Sequence, residues 1–291
     1  MSNESKGMIL GILGVVAFGL TLPATRFVVP YFDPIFIGLG RAVIASVIAA
    51  FILIATKQSK PTRKQLIQLS VVALGVVLGF PVLTAWAMET VPASHGGVVL
   101  GVLPLATAAA AVIVSKEKPS VGFWIFSLIG SIVVVTYSLL QGFGSFQLGD
   151  LLLVGAIISA GLGYALGGKL SKELGGWQVI CWALVISFPF IIFPAWMQAP
   201  EEDFSNLPLN VLLSFLYLAL VSQLFGFFLW NKGLALGGIA RVSQTQLIQP
   251  FVTLLTSAFL INETVNLQTI IFAVLVVSIV AIGKKMPVHE T

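Results

Sequence analysis

Long apolar runs, each broken by a few polar, glycine or proline residues, make up almost the whole chain. A membrane span needs about 20 mostly apolar residues. Ten segments meet that length: 7–29, 34–55, 66–88, 93–115, 120–141, 148–170, 177–196, 209–231, 239–261 and 267–285. The pattern therefore predicts an all-α integral membrane protein with ten transmembrane helices. Pro30, Pro34, the basic stretch Lys57 to Lys64, Pro92, and the glycine pairs at 175–176 and 237–238 mark breaks between them. The loops are too short for a soluble domain. After the polar opening residues MSNES, an apolar run starts at Gly7. It is longer than a signal-peptide core and no small-residue cleavage site follows it, so it reads as an uncleaved first span.

The two halves of the chain resemble each other. Pro104 to Lys118 reads PLATAAAAVIVSKEK, and Pro250 to Thr264 reads PFVTLLTSAFLINET. At an offset of 146, Pro104, Thr107 and Glu117 fall on Pro250, Thr253 and Glu263. Both stretches lie in the fourth helix of a five-helix half, which predicts repeats at 1–143 and 147–291. Five is odd, so equivalent helices run in opposite directions. Such an inverted-topology repeat is the usual frame for alternating access around a site between the repeats.

Span 9 departs from uniform hydrophobicity. At about 100° per residue, Thr245, Gln249, Thr253 and Ser257 form one row, with Gln246 and Thr256 beside it. Leu247, Ile248, Phe251 and Leu254 cover the other side, and Gln244 is expected apart from the row. An unsatisfied amide in hydrocarbon is costly, so the polar face must meet protein or a water-filled cavity. Pro250 has no N–H for the Gln246 carbonyl, which predicts a kink and a freed acceptor there. Pro104 should free the Leu100 carbonyl in span 4 likewise, and Pro23 predicts a bend in span 1. The span-4 positions matching the row are apolar, Val99, Leu103 and Ala111, so the second half is expected to supply more of the site. Helix–helix glue is the plain alternative for any one glutamine.

Composition narrows the class. Charged residues are 9% of the chain and hydrophobic ones 58%, with a mean hydropathy of +1.05; soluble domains carry about 25% charge. With the N-terminus inside, 13 of the 15 Lys and Arg residues fall on the cytoplasmic side, which predicts both termini there and a place in the cytoplasmic membrane. The basic residues are scattered among short loops, which argues against nucleic acid as a partner. Cys181 is the only cysteine, and His95 and His289 are too few for a zinc site, so no metal and no cofactor is expected. The chain has no GxxxxGK[ST] phosphate loop and no nucleophile–base pair, so it reads as neither an ATP-driven pump nor an enzyme.

Phe18-Gly19-Leu20-Thr21-Leu22-Pro23 followed by Arg26 is similar to the first-span pattern of the drug/metabolite transporter superfamily, in the type with two EamA domains. Phe18 replaces that pattern's usual tryptophan, and Arg41 sits where the family often has a second-span arginine. The resemblance covers essentially the whole chain. It implies a secondary transporter exporting amino acids, other metabolites or drugs, with a central cavity between spans 1, 3, 4, 6, 8 and 9.

On that reading Gln246, Gln249, Thr253 and Thr245 bind polar groups of a small-molecule substrate. Trp86, Tyr164 and Trp230 shape the wall, or else anchor spans at the interface, and Gln223 lies deeper on the side of Trp230. Arg41 either binds a carboxylate or is a structural arginine satisfied within the protein, and Arg26 is expected to snorkel outward. Glu117 and Glu263 are expected to cap turns into the helices that follow them, with a proton-coupling role as the alternative. Glu89 and His95 flank a turn at the outer surface and are expected to be solvated, with pH sensing as the alternative, and no carboxylate is expected inside a span. Gly75 with Gly79, and Gly163 with Gly167, read as close-packing surfaces. The sequence thus points to alternating-access export of amino acids or related metabolites by a chain able to work as a monomer in the lipid bilayer. The alternatives are a multidrug exporter of lipophilic cations on the same fold and a channel-like facilitator.

Overall fold

A computed structural model describes residues 1–115, 118–141, 147–200, 204–283 and 288–289. Among them the chain forms ten helical stretches. These are α1 (Asn3–Val28), α2 (Pro34–Ala55), α3 (Arg63–Thr90), α4 (Ala93–Val114), α5 (Val121–Gln141), α6 (Leu148–Leu174), α7 (Gly176–Met197), α8 (Leu209–Gly237), α9 (239–260) and α10 (Leu267–Gly283). Seven of them, α1 to α4 and α6 to α8, are long and apolar enough to cross a membrane by length and composition. The stretch Leu267–Ile279 of α10 is a shorter apolar helix. Lys118–Pro119 also pairs antiparallel with Val288–His289.

Helices start where the sequence supplies caps. Asp33 Oδ1 accepts the Ile35 N–H at 2.7 Å, with Pro34 in the first turn of α2. Thr62 with Gln65 and Gln147 with Asp150 make reciprocal caps at α3 and α6. Gly175 and Gly238 enter α7 and α9 at φ +100° and +86°, a conformation that favours glycine. Outside, Phe51, Phe190 and Phe259 are 72%, 73% and 80% exposed. That apolar exterior suits lipid and would promote aggregation in water.

The helices are not uniform rods. Wide π-helical turns occupy Ala73–Gly79 in α3 and Leu218–Phe225 in α8. Tight 3₁₀ turns occupy Leu100–Val102 in α4 and Gln244–Ile248 in α9. Each pair corresponds at the offset of 146 that aligns Pro104 with Pro250. Neighbours recur in the same way: α1 packs on α8 as α6 packs on α3, and α9 packs on α1 as α4 packs on α6. The pairs α2–α7, α4–α9 and α5–α10 then join equivalent helices.

Close packing depends on glycine at these contacts. A Cβ on Gly75 would lie 2.5 Å from the Ser159 carbonyl oxygen and 3.1 Å from Gly163 Cα, so α3 and α6 touch backbone to backbone. Gly7 faces Gly237 and Gly233 across α1 and α8 in the same manner, with 2.6 Å to the Gly237 nitrogen. Gly167 differs from the expectation, because nothing lies within 3.4 Å of the position its Cβ would take.

Candidate functional site

The polar row of α9 points into the bundle. Thr245, Gln246, Gln249, Thr253 and Ser257 are all buried, whereas Ile248, Leu255 and Phe259 on the far side are exposed. Gln244, expected apart from the row, is buried as well. The 3₁₀ turn explains this. It advances about 120° per residue instead of 100°, which brings Gln244 round by roughly 80° over four residues. Both amide atoms of Gln246, Oε1 of Gln244 and Oγ of Ser257 are buried with no hydrogen-bond partner among the described residues. Each such orphan costs about 1–3 kcal/mol. Gln249 likewise makes no side-chain hydrogen bond among the described residues.

The three hinge prolines leave no carbonyl idle. Pro23 cannot bond the Gly19 carbonyl four residues back, and the Thr253 hydroxyl of α9 donates to it instead, at 2.8 Å. Pro104 and Pro250 free the carbonyls of Leu100 and Gln246, but the N–H groups of Leu103 and Gln249 take them in 3₁₀ fashion. These carbonyls thus differ from the free acceptors expected beside the amides. Thr253 also packs on α4, where a Cβ at Gly97 would come within 2.8 Å of its methyl group. Thr245 back-bonds to the Val242 carbonyl at 2.7 Å.

Tyr164 and Trp230 are brought together, with ring centroids 5.4 Å apart, and Phe18 and Phe227 complete a buried aromatic cluster. The indole N–H of Trp230 has no acceptor among the described residues. Trp86 stands outside this cluster and is 41% exposed.

Gln223 is engaged at both ends of its amide. Its Oε1 accepts from Arg41 Nε at 3.0 Å and Nη2 at 2.8 Å, and its Nε2 donates to the Val76 carbonyl at 3.1 Å. Arg41 is 2% exposed. The ion pairs among the described residues are His95–Asp150 and Arg241–Glu4, so no carboxylate faces Arg41 there. Thr21 and Ser222 hydroxyls meet nearby at 2.8 Å. Arg26 donates to the Met88 carbonyl of α3.

A cavity of about 310 Å³ opens between α1, α8 and the end of α9, lined by Pro23, Phe27, Asn210, Ser214, Tyr217 and Leu260 among others. Of the sequence-selected residues it touches Pro23 alone. Glu263 does act as a cap, but on another helix than expected. Its two oxygens accept the Ala93 and Ser94 N–H groups of α4 at 2.9 and 3.0 Å, where the helix dipole favours a carboxylate. Glu117 lies outside the described residues.

Asp150 is a residue the sequence did not single out, and His95 was expected in solvent. Both sit in helix first turns, at α4 and α6, and are 4% and 2% exposed rather than solvated. His95 Nε2 lies 2.6 Å from Asp150 Oδ1. The spacing of two residues on different helices leaves no periodic trace. The only sequence signal was that both fall on the same side of the predicted membrane.

With this geometry in place, comparison with known proteins gives the family. The sequence model of the EamA-like transporter family matches residues 5–139 and again 147–282. The chain belongs to the EamA-like transporter family. Its EamA relatives include the "Uncharacterized transporter YdeK" of Bacillus subtilis (strain 168), 44% identical over 98% of this chain and 99% of that one. The "Uncharacterized transporter YyaM" of the same strain is 25% identical over 91% of this chain and 90% of that one. A solved crystal structure covering 96% of both chains shares the fold at a TM-score of 0.68 and 14% identity. The EamA chain is therefore a multi-pass membrane transporter, and its relatives are named as transporters rather than enzymes.

Proposed function

We propose that this EamA transporter is a ten-span secondary transporter that exports amino acids or related small metabolites across the cytoplasmic membrane by alternating access, with both termini cytoplasmic. The observation that carries the proposal is the buried polar row of α9, with Gln246 unpaired at both amide atoms. An amide held so at a cost in stability is of use if a solute completes its bonds. The recurrence of π and 3₁₀ turns at one sequence offset, with reciprocal helix neighbours, supports two inverted repeats that can exchange roles. Gln246, Gln249, Thr253 and Thr245 would meet polar groups of the solute, and Tyr164 and Trp230 its apolar part.

The aromatic cluster also favours a second reading, efflux of lipophilic cations. Arg41 weighs against it, because a buried cation with no facing carboxylate among the described residues repels another cation in a low-dielectric interior.

The test is counterflow of a labelled amino-acid panel in liposomes, with Gln246→Leu and Gln249→Leu alongside the natural protein. Gln246→Leu removes two orphaned polar atoms, so it should be more stable to unfolding than the natural protein, by about 1–3 kcal/mol, while losing saturable exchange. If Gln246→Leu kept full exchange, the row would be structural. If lipophilic cations alone exchanged, the second reading would replace the first.

A further inference from the structure

A buried titratable cluster lies where α4, α5, α6 and α10 meet, apart from the polar row. His95 Nε2 faces Asp150 Oδ1 at 2.6 Å. The other oxygen, Asp150 Oδ2, accepts the Gln147 N–H at 3.1 Å. The His95 ring stacks on Tyr137 with centroids 5.0 Å apart. The Tyr137 hydroxyl lies 3.3 Å from Thr269 Oγ1, which donates to Asn266 Oδ1 at 2.8 Å. Tyr137 and Thr269 are 1% and 5% exposed.

The chemistry of the pair follows from its partners. An ionised carboxylate only accepts, so Nε2 is the nitrogen that donates to Asp150. In the neutral ring the lone pair then sits on Nδ1. That atom is buried and has no hydrogen-bond partner among the described residues. A basic lone pair with no donor, one ring-width from a carboxylate, is a place for a proton. Histidine is also the side chain that ordinarily changes charge between about pH 5 and 8. The imidazolium formed there would be balanced by Asp150 and by the face of Tyr137. Its new Nδ1–H would need an acceptor that the present arrangement lacks, so gaining the proton favours movement of the first turn of α4.

That turn is already tied to the polar row. The N–H groups of Ala93 and Ser94, just before His95, are held by Glu263 beyond the end of α9. Two residues after His95, Gly97 packs against Thr253, whose hydroxyl bonds the Gly19 carbonyl of α1. The charged and titratable groups on the elements around His95 are Asp150 of α6, Tyr137 of α5, Glu263 after α9, Glu89 at the end of α3 and Arg26 of α1, which is bound to the Met88 carbonyl. No Asp, Glu, Lys or Arg occurs in the described part of α10. We infer that His95 and Asp150 form a proton-binding site, separate from the solute-binding row, through which a proton gradient drives transport. The coupling rests on the transporter reading above, whereas proton binding by His95 does not.

The experiment has two readings. The first uses histidine labelled with nitrogen-15 in His289→Gln protein, which leaves His95 as the single reporter. Its ring signals, followed over a pH range in which the protein stays folded, should show a proton added at Nδ1, and that response should differ in Asp150→Asn. The second uses liposomes with a pH dye inside. Natural protein should move solute when a pH gradient is imposed and carry protons with it. His95→Gln and Asp150→Asn should keep gradient-free counterflow but lose gradient-driven flux by about an order of magnitude. A His95 signal that stays fixed over that pH range overturns the site, even if a variant fails to fold. Gradient-driven flux that persists in His95→Gln overturns the coupling. If natural protein shows no counterflow with any solute while His95 titrates, the transporter reading falls and the proton site stands.

Discussion

Gln223→Leu is expected to destabilise the bundle more than removal of Arg41 itself. The guanidinium is buried and held by Gln223 Oε1 through two hydrogen bonds, with no carboxylate facing it among the described residues. Taking away the acceptor strands a charge in the interior, which costs about 3–5 kcal/mol. Arg41→Leu strands only a neutral amide oxygen, at about 1–3 kcal/mol. The double substitution removes both partners and should lie close to Arg41→Leu, well short of the sum of the singles. Denaturation of the three variants in one detergent measures the coupling directly. Additive losses would mean that Arg41 is held by something other than Gln223.

Gly75→Ala should also be damaging, through sterics alone. The added methyl would sit 2.5 Å from the Ser159 carbonyl oxygen, and that neighbour is backbone, which cannot rotate away. Helices α3 and α6 would have to separate, at a cost of about 1–3 kcal/mol. Gly167→Ala, on the same face of α6 as Gly163, makes the internal control. Its Cβ would meet nothing nearer than Asn231 Oδ1 at 3.5 Å, and alanine gains about 1 kcal/mol over glycine in a helix interior. It should be neutral or stabilising. Thermal melts that rank Gly167→Ala below Gly75→Ala would refute the close-contact argument.

The contrast between these two glycines shows what a single sequence can and cannot carry. The small-xxx-small pattern made Gly163 and Gly167 look equivalent, because spacing along one helix says nothing about how near the partner comes. The polar face of α9 was legible, since a 3.6-residue period of amides and hydroxyls in an apolar run needs no second helix to be seen. Gln244 was misplaced because the 3₁₀ turn changes the angle per residue. Trp86 and Trp230 look alike in the sequence, yet one is exposed and one buried. Gln223 looked like a ligand of a solute and is instead bound to an arginine 182 positions away. His95 was expected in solvent because it stands beside a predicted break, although helix first turns can be deeply packed.

The two wide turns have a mechanical consequence. Each holds one more residue per turn than an α-helix does, so either helix could let that residue out and turn by about 100° without losing its ends. They are not independent, because Gln223, within the wide turn of α8, donates to the Val76 carbonyl, within the wide turn of α3. Release of one would pull on the other through a single amide that also grips Arg41. A change of pitch in one wide turn is therefore expected to disturb the other.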